Sequence, residues 1–197
     1  MPLNRVRSMK ARHALLLAWA WATAAAAADE VVETYKDPTF HATVSNILVV
    51  GLHSDTNVRG MFENSVLRAL RAAGATGDSS LARMGSTQEI TADTVAAAAR
   101  RAGTDAVLIT RVVDAEAQQS GAPTFVEYFN AYAPAQDPLG VTSTRPVRVT
   151  SDLYVVASQT RVWGAESTGF EKQNLLAAID GIAKAVTAQL RTDGLIR

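Results

Sequence analysis

Two short runs of aliphatic and β-branched residues constrain this chain more than any other feature: Asn46-Ile47-Leu48-Val49-Val50 and Ala106-Val107-Leu108-Ile109-Thr110-Arg111-Val112-Val113. Neither alternates polar with apolar residues, so each reads as a strand covered on both faces, inside a sheet that carries helices on either side. Amphipathic segments lie between them. After Gly51 a polar turn, Ser54-Asp55-Thr56-Asn57, offers oxygens to the free amides of a helix start, and Phe62, Val66, Ala69, Leu70 and Ala73 follow at helical spacing up to Gly74. Arg59, Glu63, Asn64, Arg68 and Arg71 fall on the opposite side of that helix, with Arg59 and Glu63 spaced as a surface pair. A weak edge strand is expected over 75–80. The next helix begins at Thr91, carries Val95, Ala98, Ala99 and Ala102, and stops at Gly103.

Beyond the second apolar run the pattern breaks. Residues 116–146 carry four prolines and no period, which is long for a connection inside a compact domain. Residues 147–157 and 161–167 then read as an antiparallel hairpin, in which Tyr154 and Trp163 pack inward. A last helix carries Leu175, Leu176, Ile179, Ile182, Ala183, Val186 and Leu190, and Gly194 caps it so that Leu195 and Ile196 can fold back. The fold class expected is therefore α/β (α+β): a mixed sheet in the order β-α-β-α-β-(long loop)-β-β-α, with helices packed on it. With 197 residues, 48% of them hydrophobic, the chain suits one domain over 45–197, preceded by an extended lead-in at 29–44.

Residues 1–28 read as an address. Arg5, Arg7, Lys10 and Arg12 precede an uncharged stretch from Ala14 to Ala28, and Ala26 with Ala28 fits the small-residue pattern that signal peptidases cleave. Fifteen residues dominated by alanine are short for a hydrocarbon core of ~30 Å, so a cleaved secretory signal is expected in place of a retained anchor. Cleavage takes away four cations and no anion from a chain of zero formal charge, leaving −4. Location in the periplasm or the medium follows, with no transmembrane span after cleavage.

The charge balance argues against a nucleic-acid partner, and the absence of cysteine removes disulfides, thiolate metal sites, thiol catalysis and a lipidated anchor. Gly77-Asp78-Ser79-Ser80 resembles the nucleophile block of GDS-type esterases, but all three histidines, at 13, 41 and 53, precede it, and those esterases carry the base near the C-terminus. His41, His53, Asp37 and Asp55 match no ligand spacing, so no metal and no cofactor is expected. The turn with Ser54, Thr56 and Arg59 is a candidate anion site, because a helix start presents amides there. Arg145, Arg148 and Arg161 form a modest patch read as solvated charge. Phe125, Tyr128, Phe129 and Tyr132 place four of ten post-leader aromatics within eight residues, either as a partner-binding surface or as cover for the domain's own sheet.

The run 46–50, Val58-Arg59-x-x-Phe62-Glu63, Gly103-Thr104-Asp105 leading into 106–111, Leu153-Tyr154 with Arg161-Val162-Trp163, and Leu190 with Asp193-Gly194-Leu195-Ile196 resemble a group of bacterial envelope proteins and lipoproteins. More distantly, the layout is similar to the small periplasmic α/β domains of the TolB amino-terminal part, peptidoglycan-synthase activators of the LpoB type and the curli-export protein CsgG. The resemblance covers about residues 45–196. It implies an exported, non-catalytic accessory domain that touches other envelope proteins. A periplasmic small-molecule or anion binder is the alternative, and a hydrolase the third reading.

Overall fold

The computed structural model describes residues 30–114, 122–132, 147–168 and 175–197. The elements in chain order are β1 (Glu30–Lys36), β2 (Asn46–Leu52), α1 (Thr56–Ala72), β3 (Thr76–Ser79), α2 (Ser80–Met84), α3 (Ala92–Ala102), β4 (Ala106–Asp114), α4 (Phe125–Tyr132), β5 (Val147–Val155), β6 (Arg161–Thr168) and α5 (Leu175–Thr192). The six strands form one mixed sheet in the order β1-β6-β5-β4-β2-β3. β3, β2 and β4 run parallel, while β5, β6 and β1 continue the sheet antiparallel. The signal segment at 1–28, Arg145 and most of the long proline-rich insertion lie outside the described residues.

The two apolar runs become adjacent central strands, paired from Ile47↔Ala106 to Leu52↔Arg111. Side chains alternate along them. Ile47, Val49 and Leu108 join Phe62, Val66, Leu67 and Leu70 of α1 and Ile179, Ile182, Val186 and Leu190 of α5 in one core. Leu48, Val50, Val107 and Ile109 join Val95, Ala98 and Ala99 of α3 and Phe125, Tyr128 and Phe129 of α4 in the other. The three layers have a topological cause: the chain steps outward from β2 to β3 and then back across β2 to β4, so two crossovers of one hand fall on opposite faces.

Local chemistry sets the boundaries. Asp55 caps α1, its carboxylate accepting from the amides of Asn57 and Val58. Thr91 and Thr94 exchange a reciprocal capping box at the start of α3, and Gly103 ends that helix in the left-handed conformation. At the end of α5, Gly194 has φ of +72° and the Leu195 amide donates to the Leu190 carbonyl, giving the Schellman turn read from the sequence. Leu195 and Ile196 are buried. Trp163, also fully buried, donates its indole N–H to Asp193 Oδ2 at 2.7 Å, which ties this C-terminal turn to β6.

Three elements go beyond the order expected from the sequence. The lead-in contributes β1, which pairs with β6 from Glu30↔Thr168 to Lys36↔Trp163, with an irregularity between Val31 and Glu33. Ser80–Met84 turns into a short helix, and the aromatic insertion holds α4.

Candidate functional site

Three sequence-derived candidates can be placed, beginning with the turn between β2 and α1. Ser54 is exposed and Thr56 half-buried, but Arg59 is buried, as is Glu63, which is 0% exposed. The surface pair expected from their spacing is thus an interior ion pair. Both residues lie over the end of β2, where the short helix α2 closes above them. Glu63 Oε1 accepts from Arg59 Nε at 3.0 Å, the Gly51 amide at 3.1 Å and Ser80 Oγ at 2.6 Å, while Oε2 accepts from Ser79 Oγ and from the Leu81 amide at 2.9 Å. Arg59 Nη2 in turn donates to Ser80 Oγ at 2.7 Å. This carboxylate joins α1, β2, β3 and α2 around one charge, and five donors offset its desolvation.

That arrangement determines what the turn and the Gly-Asp-Ser-Ser block can do. The amides of Asn57 and Val58 are taken by Asp55, and the Arg59 charge is held by Glu63, so an arriving anion meets a carboxylate over the helix start. Gly77 is required by packing: a Cβ there would come within 2.6 Å of the Ile47 carbonyl and 2.9 Å of Leu67. Ser79 also caps α2 by accepting from the Ala82 amide. His53, the imidazole nearest in sequence, instead accepts the Asp55 amide on Nδ1 at 2.9 Å.

The aromatic insertion folds onto its own domain. Phe125, Tyr128 and Phe129 are buried, and Phe125 and Tyr128 each make edge-to-face contacts with Phe129 and with Tyr154 of β5, ring centroids 4.9–5.7 Å apart. Tyr154 Oη donates to the Ala122 carbonyl at 2.9 Å and fixes the chain entering α4. The helix begins with a reciprocal cap between Thr124 and Glu127. Tyr132 is its last residue. Val126, 45% exposed, with Glu127 and Asn130, makes the side of α4 turned to solvent.

The third group is a set of charged side chains on the same face of β4, β5 and β6, and composition gave no hint that it would be buried. Register aligns it in rows: Arg111, Thr150 and Glu166 lie opposite one another, and Ile109, Asp152 and Gly164 form the next row. Arg161 reaches across Gly164 to Asp152, Nε to Oδ1 at 2.6 Å, and its guanidinium lies 4.7 Å from the centre of the Tyr35 ring on β1. Gly164 makes room for it, since a Cβ there would collide with the guanidinium and lie 2.8 Å from Asp152 Oδ1. Burial pushes the Asp152 carboxyl above its ordinary range, against the pull of Arg161 and Arg111. Arg148 Nη1 stands 3.4 Å from Glu166 Oε2. Arg148 and Arg161, read from the sequence as solvated charge, are therefore largely buried and paired. Among the described residues no group of histidine and carboxylate side chains suits a metal ion.

The fold is similar to that of the PelC dodecamer from Paraburkholderia phytofirmans, with 18% identity, 84% of this chain and 96% of that chain covered, and a TM-score of 0.45. A point variant of the same dodecamer gives 19% identity, 79% and 95% coverage and a TM-score of 0.44. Lipoprotein GNA1162 from Neisseria meningitidis is similar at 18% identity, with 75% and 96% coverage and a TM-score of 0.40. No protein-family model and no curated protein matches the chain.

Proposed function

We propose that the chain is an exported accessory domain of the bacterial cell envelope, which works by holding a partner protein and not by making or breaking bonds. The leader-like layout of residues 1–28 and the envelope-protein resemblance over 45–196 support export. The observation that carries the non-catalytic part is the direction taken by the chemistry-bearing side chains. Arg59, Ser79 and Ser80 all turn inward onto Glu63, where each completes the helix–sheet joint. A hydroxyl in that position is a strut, because a nucleophile needs a base on one side and an open approach on the other.

The partner meets the chain on the outer side of α4. Phe125, Tyr128 and Phe129 are spent on the core, so the insertion presents Val126, Glu127 and Asn130, an apolar centre with a polar rim. Among the described residues no helix is long and apolar enough to cross a membrane. A photo-reactive amino acid placed at Val126 in intact cells tests the reading: a discrete adduct with one envelope protein is expected, and the same probe at exposed Arg100 gives none. Absence of an adduct at Val126 contradicts the α4 surface. Ester turnover by the purified chain that vanishes in Ser79→Ala contradicts the non-catalytic role.

A further inference from the structure

We propose that the end of the molecule where α1, α3 and α5 stop is a docking surface for the phosphate layer of an anionic phospholipid membrane. The topology collects the three helix ends there. Each helix runs against the direction of β2 and β4, so its last turn lies level with the strand starts. Residues 44–46 then bind all three ends. The Val44 amide donates to the Leu195 carbonyl beyond α5, the Thr76 amide beyond α1 donates to the Ser45 carbonyl, and Asp105 beyond α3 accepts the Ser45 and Asn46 amides. Arg71 stands in the last turn of α1, Arg100 and Arg101 in that of α3 and Arg191 in that of α5, and Arg197 follows with its carbonyl beside Gly74. All five arginines are exposed.

Pairing separates these five from the rest. Arg59, Arg68, Arg83, Arg148 and Arg161 each hold a carboxylate, and Arg111 lies over the Tyr128 ring. None of the five guanidiniums at the helix ends meets a carboxylate or another acceptor among the described residues. The carboxylates of that end are engaged from within: Asp105 by its two amides, Asp193 by the Trp163 indole and Gln189, Asp37 by Thr39 and Glu127 by Thr124. Lys36, bonded to the Asp193 carbonyl, adds a sixth cation. A helix C-terminus carries roughly half a negative charge, so one cation answers each. The second arginine of α3, and Arg197 past the end of α5, exceed that need. Their chemistry selects the partner. A guanidinium fork matches phosphate oxygens two at a time and is weakly hydrated, so it exchanges water for phosphate at low cost. A protein partner calls for an apolar or aromatic anchor amid the charges. The exposed large hydrophobics among the described residues are Tyr35, Val126 and Leu176, and none belongs to the last turn of α1, α3 or α5. A broad end lined with guanidiniums and lacking an apolar centre fits a layer of phosphates.

This inference reaches past the protein-holding role of α4, and its failure leaves that role standing. Flotation of the purified chain with vesicles of phosphatidylcholine containing about one-third phosphatidylglycerol, against vesicles of phosphatidylcholine alone, tests it. Uptake by the anionic vesicles is expected, falling as salt is raised. An arginine close to an anionic surface is worth about fivefold in partition, so Arg101→Gln with Arg191→Gln should weaken uptake about tenfold or more while the melting temperature shifts little. Arg83→Gln with Lys184→Gln removes the same charge outside this end and should leave uptake unchanged. Both double variants carry the same leader, so its four cations cannot account for a difference between them. No preference for the anionic vesicles, or equal loss in the two double variants, overturns the proposal. Retention on a polyglutamate resin without vesicle uptake also overturns it, and would assign the arginines to an acidic protein.

Discussion

Replacing Glu63 with alanine takes the acceptor away from five donors and leaves the Arg59 guanidinium buried without its partner. The expected loss is about 3–5 kcal/mol in urea unfolding, and the double change Arg59→Met with Glu63→Leu should recover only part of it, because it removes the unpaired charge but leaves the Gly51 and Leu81 amides and the Ser79 and Ser80 hydroxyls without their acceptor. Gly164→Ala is the matching test at the charged rows: the added methyl occupies the place of the Arg161 guanidinium, so the Asp152 pair breaks and stability falls by about 1–3 kcal/mol. Asp152 also gives a pH signature. Its folded carboxyl is held above the ordinary value of 3.8, so between that value and the raised one the folded chain binds more protons than the unfolded chain. Its contribution is complete below 3.8 and is lost as pH rises through the folded value. Unfolding curves from about pH 3 to pH 7 should show the wild type losing stability relative to Asp152→Asn, and parallel curves would refute the assignment. None of this was legible residue by residue. The spacing of Arg59 and Glu63 is the same for a surface pair and an interior one, and only the closure of α2 over them decides which it is.

At the scale of elements, period and capping residues sufficed wherever a segment was long and two-sided. β2 and β4 follow from their unbroken apolar runs, and α1, α3 and α5 from helical spacing and the residues that start and stop them, down to Asp55, Thr91, Gly103 and Gly194. β1 escaped because Glu33 interrupts Val-Val-x-Thr-Tyr and Glu30 and Lys36 flank it, a composition that suits the edge of a sheet and resembles a loop in isolation. The signal for α4 was present and unread: Thr124 with Glu127 three residues later is a capping box, overshadowed by Pro123 before it and the prolines after it. Thr124→Ala should therefore cost about 0.5–2 kcal/mol and loosen α4 from Tyr154, which quenching or near-ultraviolet dichroism of the tyrosines reports. An unchanged spectrum together with unchanged stability would show that the cap does not hold the helix.

For the molecule as a whole, the layer order was written in two apolar runs that had to be covered on both faces, and the structure covers them with α1 and α5 on one side and α3 and α4 on the other. The candidate surfaces were much less legible. Aromatics gathered in an insertion look alike whether they meet a partner or their own sheet, and here the sheet takes Phe125, Tyr128 and Phe129. Charges spread over 111–166 gave no sign of converging, because their rows exist only once β4, β5 and β6 are in register. The functional account depends on where the molecule works, since a domain that holds an envelope partner must first reach it. The intact mass of the chain recovered from osmotic-shock fluid of its host cells measures this directly. The account predicts a species beginning at Asp29, about 28 residues lighter than the full sequence, and a full-length chain beginning at Met1 and confined to the cytosol would contradict it.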